Sequence, residues 1–532
     1  MRRPLFSKLL LALSLAVLAL SGCGAPQIRQ EGLLVEIYVD GVSQQIALPA
    51  GSTVQAALEA SGIQLGQLDR VEPPAYTVLS EGTRIVVTRV REEYETQQVL
   101  IPFDHQELRN ESMPTGETRL IQAGINGLKE ITIRRVYEDG VEVRSTIVSE
   151  VTLQEPTAEI VMVGMQSPFA PLPIPGRLAY LAAGNAWVME GTTAARRPLV
   201  TTGDLDGRIF SLSPDGEYLL FTRRSTRPAG EEINTLWAVS LTSQTPTLIN
   251  LRVSNIIHSA EWVPGQTYQI AYSTVEPSAT APGWQANNDL YLMTFYPWGQ
   301  RGNATRIIDT NYGGVYGWWG TLYRFSPDGR RIAYARPDGI GQVDARDNLL
   351  LPILDITPFN THSDWAWVPG LAWGSDSQTL FVVTHAPPTG LVSPEESPFF
   401  DLNAISLVNG ANVRIAEQTG MFAYPAASPL RPTESERSYR LAFLEAIFPD
   451  QSESSRYRLV VMDRDGSDRQ TLFPGEGLPG IEPQTPVWAP QENENGDFIA
   501  ILYQGNLWLI DSRSGQAQQV TGDGLISRID WK

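Results

Sequence analysis

The chain has 532 residues, 42% hydrophobic and 19% charged, which supplies several cores and excludes global disorder. A formal net charge of −19 argues against a nucleic-acid partner, and a single cysteine, Cys23, excludes any disulfide within the chain. With 45 Gly and 38 Pro, the composition fits a turn-rich, mainly β protein.

Met1–Cys23 has the parts of an export signal. Arg2, Arg3 and Lys8 form a positive start, Leu9–Leu20 is a continuous apolar run too short for a membrane span, and small residues follow. Leu20-Ser21-Gly22-Cys23 resembles the lipobox of bacterial lipoproteins. The resemblance implies a signal peptide over 1–22, a lipid on Cys23 holding the protein to a membrane outside the cytoplasm, and a polar tether over 23–32.

Residues 33–90 read as a small α/β module. Val35–Val39 leads to the hairpin signal Asp40-Gly41, and Gln45–Leu48 returns. Ser52 is the expected N-cap of a helix over Thr53–Ala60, in which Val54, Ala57 and Leu58 share a face and which Gly62 ends. Arg84–Val90 is a closing strand. The order is β-grasp-like. It resembles the small domains placed ahead of five-glycine domains in wall proteins of the resuscitation-promoting-factor type.

Residues 91–166 begin with alternating positions (Glu93, Glu95, Gln97 against Tyr94, Thr96). They carry the words GETRLIQAGINGLKE, YEDGVEV and EIVMVG. These resemble the five-glycine (G5) domain, with Gly116, Gly124, Gly127, Gly140 and Gly164 as its glycines. The resemblance implies an elongated β ribbon and binding of N-acetylglucosamine polymers or cell wall. The glycines themselves are read as turn or twist positions needing positive φ. Residues 167–176 hold four prolines and are expected to form a stiff linker.

Residues 177–532 repeat one unit. FSPDGRRIAYAR at Phe325–Arg336 and LSPDGEYLLFTR at Leu212–Arg223 read as strand, tight turn, strand, and degenerate copies recur every 40–60 residues or so. Six whole blades of a β-propeller are expected to start near Ile209, His258, Tyr323, Gly370, Ala423 and Thr485. Ile526–Trp531 would join Leu178–Leu181, Asn185–Met189 and Pro198–Val200 in a seventh blade closed by both chain ends. The repeats resemble those of TolB-like propellers. That ring has six blades, so six is the alternative to seven.

A G-x-S-x-G elbow, HExxH and a P-loop are all missing from the sequence. His105, His258, His362 and His385 fall in different modules, and Asp215 and Asp328 read as turn caps rather than metal ligands. A non-enzyme without cofactor or metal is therefore expected. The suggestive feature is aromatic. Tyr312, Tyr316, Trp318 and Trp319 lie in a Gly-rich run between blades, and Trp365 and Trp367 follow one blade later. Flat rings on loops stack on sugars or anchor peptides, so these six are the candidate ligand-binding residues. Trp262, Trp373, Trp488 and Trp531 sit at equivalent first-strand positions and are expected to pack between blades. Val275–Asn288, Ala386–Phe400 and Phe448–Arg456 read as loop insertions suited to recognition.

The expected function is a lipid-anchored extracytoplasmic binding or scaffold protein whose propeller face engages a protein or an envelope glycan. Alternatives are wall attachment or sensing through the five-glycine module, and a glycan-active propeller enzyme, which would need convergent carboxylates.

Overall fold

The computed structural model describes residues 32–166, 169–243, 246–298, 301–432 and 437–532. The export signal and Cys23 lie outside the described residues. The chain divides into two compact units: residues through Gln106 with Leu120–Val161, and Glu107–Arg119 with Met162–Lys532.

In the first unit, Leu33–Val39 and Val42–Leu48 pair as a hairpin about Asp40-Gly41, both at positive φ as a primed turn requires. Arg84–Thr88 runs parallel to Leu33–Val39 and antiparallel to Arg70–Glu72. The helix spans Val54–Ala60, and its buried Val54, Ala57 and Leu58 close a core with Val35, Ile37, Ile85 and Val87. Thr53, not Ser52, is the N-cap. The Thr53 hydroxyl accepts from the Ala56 N–H, while the Ser52 hydroxyl donates to the Pro49 carbonyl.

The ribbon that follows is one layer thick. Val90–Ile101, Gly127–Glu138 and Val141–Gln154 pair antiparallel in that order, and every residue of Val141–Gln154 is exposed. With little core, cross-strand ion pairs add to the ladder: Arg135 to Glu95 and Glu142, Lys129 to Glu150, Arg134 to Glu92. The ribbon is tied to the preceding module at Arg89, whose guanidinium reaches Asp40 at 3.1 Å and Asp69 at 2.7 Å. The five glycines have two roles rather than the one expected. Gly116 and Gly140 take positive φ at turns. Gly124, Gly127 and Gly164 instead permit close approach, because a Cβ would collide with the Phe103 ring, the Gln154 carbonyl and the Pro114 carbonyl.

The second unit is a β-propeller. Among the described residues, six four-stranded antiparallel sheets follow one another, and their innermost strands are Leu205–Leu212, Ala260–Trp262, Leu322–Phe325, Leu371–Trp373, Ala426–Ala427 and Val487–Trp488. We number these blades 1 to 6. A seventh sheet has Ile526–Trp531 innermost, then Pro173–Ala182, then Asn185–Val200, so the two ends of the repeat region share it. The third and fourth strands expected there are one continuous strand. The Pro-rich segment is also shorter as a linker than expected. From Leu172 it is docked, exchanging hydrogen bonds with Thr193, and Ile174 is buried.

The packing tryptophans repeat one contact. The indole N–H of Trp262 donates to the Ser211 carbonyl, that of Trp373 to Arg324, and that of Trp488 to Ala426, each linking one inner strand to the preceding one. The SPDG turns are capped as their sequence implies. Asp328 accepts from the Ser326 hydroxyl and the Arg330 N–H, and Gly329 takes φ +69°. Glu111 and Arg196 form a buried pair at 2.7 Å. The other Glu111 oxygen accepts from the Gly522 N–H, and Arg196 also donates to the Val520 carbonyl. Residues 107–119 thereby belong with the propeller.

Candidate functional site

Strand direction decides which loops meet. In each antiparallel blade, the connector entering the inner strand and the turn between the second and third strands emerge on one face, and the SPDG turns emerge on the other. The aromatic run Tyr312–Gly320 enters the inner strand of blade 3, and residues 356–370 enter that of blade 4. The three insertions lie between the second and third strands of blades 2, 4 and 5. One face therefore carries every recognition feature singled out in the sequence.

Asn288 builds the aromatic run. It is fully buried at φ +52°. Its side-chain amide donates to the carbonyls of Gly317 (2.8 Å) and Asn311 (3.1 Å), its side-chain oxygen accepts from the Thr321 hydroxyl, and its backbone carbonyl accepts from the Tyr323 hydroxyl. The glycines serve proximity: a Cβ at Gly313 would collide with Asn288 and one at Gly320 with His258. The Val315 N–H donates to Asp338 at 2.8 Å. A Gly-rich loop is here a fixed one.

Trp284, from the blade 2 insertion, and His258 both hydrogen-bond the Trp319 carbonyl, at 3.0 and 2.7 Å, and both rings pack against Trp319. Burial pushes His258 down to about 4, against the hydrogen bond to Trp319, so the imidazole is neutral at pH 7 and donates through Nε2. Beside this cluster a cavity of about 580 Å³ opens at the mouth of the central channel, walled by Trp319, Trp365, Phe422 and Tyr424, with Arg208 and Glu453 at its edge. Phe422 stacks on Tyr424 and tilts against Trp365. Burial pushes the Tyr424 phenol up to about 12, which keeps it a neutral donor. A second hollow of about 200 Å³ lies beyond Trp365, between Tyr316, Trp318 and Phe359.

The six candidates divide. Trp319 and Trp365 wall the main cavity, and Tyr316, Trp318 and Trp365 the smaller one. Trp367 is 2% exposed, packs on Phe400 and donates to the Met421 carbonyl. It reaches the lining of the main cavity from within the core and offers it little surface, less than the expected ligand-facing exposure. Tyr312 is 97% exposed and lines neither cavity. Phe422, Tyr424, Arg208 and Asn288 were missed. Phe422 and Tyr424 precede the blade 5 inner strand just as Trp319 precedes that of blade 3, and that positional equivalence was the available signal. The histidines stay apart: His105 pairs with Glu159, His362 with Glu396, and His385 with the Thr357 and Ser397 carbonyls.

Residues 92–166 match the G5 domain, and residues 35–75 match the G5-linked ubiquitin-like domain. Similar proteins include resuscitation-promoting factor RpfB of Mycolicibacterium smegmatis, 25% identical over 176 residues, covering 32% of this chain and 48% of that one. Resuscitation-promoting factor Rpf2 of Corynebacterium glutamicum is 26% identical over 141 residues, covering 26% and 37%. This chain thus spans less than half the length of either relative. Among solved structures, a TolB from Agrobacterium tumefaciens aligns with 61% of this chain and 95% of its own at 14% identity and a TM-score of 0.33.

Proposed function

From the premise that this chain carries a G5 domain and its linked ubiquitin-like module beside a β-propeller, we propose that it is a non-catalytic, lipid-anchored binding protein of the bacterial cell envelope. Its propeller mouth takes a sugar unit of an envelope glycan. The carrying observation is the pre-formed aromatic wall of Trp319, Trp365, Phe422 and Tyr424 about a concave volume of sugar size. A concave mouth favours a glycan over a flat protein surface. Glu453 is the one carboxylate among the described residues lining that cavity, whereas glycoside hydrolysis uses a facing pair, which favours binding over turnover. The lipid on Cys23 would place the protein at the membrane surface.

Titration of the protein with a muramidase digest of wall glycan, followed by tryptophan fluorescence, should give a saturable change that Trp365→Ala weakens about tenfold or more. Absence of any change would overturn the reading. A second reading, attachment through the G5 ribbon, is favoured by the strand Val141–Gln154, exposed throughout and carrying Val143, Ile147 and Val151.

A further inference from the structure

Arg208 lines the aromatic cavity, and Arg528, on the neighbouring blade, lies within electrostatic reach of Arg208 and of the wall residue Tyr424. Arg208, on the inner strand of blade 1, lines the cavity with its guanidinium over the Trp284 ring, 5.4 Å from the centroid. Arg528, on the neighbouring inner strand of blade 7, donates from Nε to the Gly207 carbonyl at 2.8 Å and from Nη1 to the Ser527 carbonyl at 2.9 Å. Both side chains are accessible to solvent. Among the described residues neither forms an ion pair, whereas Arg324, on the inner strand of blade 3, is paired to Glu261.

The nearby acid, Asp206, forms no ion pair with either guanidinium among the described residues, although its charge is felt at Arg528. Asp206 already accepts from the Thr222 hydroxyl, from Asn234 Nδ2 at 2.8 Å and from the Arg208 N–H at 3.0 Å. Glu453 belongs to the insertion of blade 5 and lines the same cavity without forming an ion pair to either arginine among the described residues. In a chain of net charge −19, two unpaired cations beside one pocket are a local reversal of the overall field. Tyr424, on the cavity wall within electrostatic reach of Arg528, adds a neutral hydroxyl donor.

We propose that Arg208 and Arg528 form an anion subsite of the aromatic cavity, and that the ligand is a sugar bearing a carboxylate. This deepens the glycan reading and rests on it. The rings take the face of the pyranose, and the two guanidiniums take the carboxylate through charge-assisted hydrogen bonds, for which their planar fork is suited.

The test is titration calorimetry of the whole protein with two tetrasaccharides. One alternates glucuronate with N-acetylglucosamine, and the other is the neutral N-acetylglucosamine tetramer. The anionic tetramer should bind about tenfold more tightly, and the preference should narrow as salt is added. The ratio should fall to about one in Arg208→Gln/Arg528→Gln and persist in part in Arg208→Lys/Arg528→Lys, with the melting temperature as the control for folding. Equal affinity of the wild type for both tetramers overturns the anion subsite and leaves the glycan reading standing. An undiminished preference in the Gln variant also overturns the subsite. Binding of neither tetramer overturns both.

Discussion

The indole N–H of Trp531 donates to the Pro175 carbonyl at 2.7 Å, joining residues 356 positions apart. The last strand thereby fastens to the first strand of the repeat region, and the propeller's sheets close without a free edge between the two ends of that region. Trp531 is 1% exposed, so Trp531→Ala removes a large buried ring as well as this bond. The expected cost is about 3–5 kcal/mol of propeller stability, read by chemical denaturation. A change below about 1 kcal/mol would mean the ring does not depend on this seam.

Glu111 and Arg196 make the second long-range tie. Their side chains are 8% and 6% exposed, so Glu111→Ala strands a guanidinium in a dry setting. A loss of about 3–5 kcal/mol is expected. Adding Arg196→Met should restore part of it, because both charges are then gone. Failure of the second substitution to restore any stability would assign the cost to packing instead of charge.

Much of this architecture was legible in the sequence because propellers repeat short-range chemistry. Each SPDG turn is set by its own Ser, Asp and Gly, and the hairpin at Asp40-Gly41 needs nothing outside itself. First-strand tryptophans could be aligned by position. What could not be read was long-range. Asn288 resembles any loop asparagine until Gly317, Asn311, Thr321 and Tyr323 are folded around it. Trp367 has the local surroundings of Trp365, and only packing on Phe400 shows that it is the more deeply buried of two tryptophans that both touch the cavity. Gly124, Gly127 and Gly164 look like turn glycines until the partner that crowds each is in place.

Asn288→Ala tests the rigidity of the aromatic loop. It deletes bonds to two carbonyls and to Thr321, and places Ala at positive φ. A stability loss of about 2–4 kcal/mol is expected, with a weakened near-ultraviolet tryptophan signal. An unchanged signal would show that the loop is held by other contacts.

His258 gives the site a pH dependence. The unfolded chain takes up a proton near the ordinary value of 6.5, while the folded imidazole, pushed down to about 4, does not. Its contribution is therefore complete above pH 6.5 and declines as the pH falls from 6.5 to 4, by up to roughly 3 kcal/mol. His258→Gln, which keeps a donor for the Trp319 carbonyl, should flatten the stability profile in that window. A variant as acid-sensitive there as the wild type would assign the effect to other groups.

The most direct test of the account is co-sedimentation of the protein with intact wall sacculi, with Trp318→Ala/Trp365→Ala run beside the wild type. The account predicts retention of the wild type and loss of about nine-tenths of it in the variant, whose melting temperature stays close to normal. Equal retention of both proteins would contradict it and move the binding to the G5 ribbon.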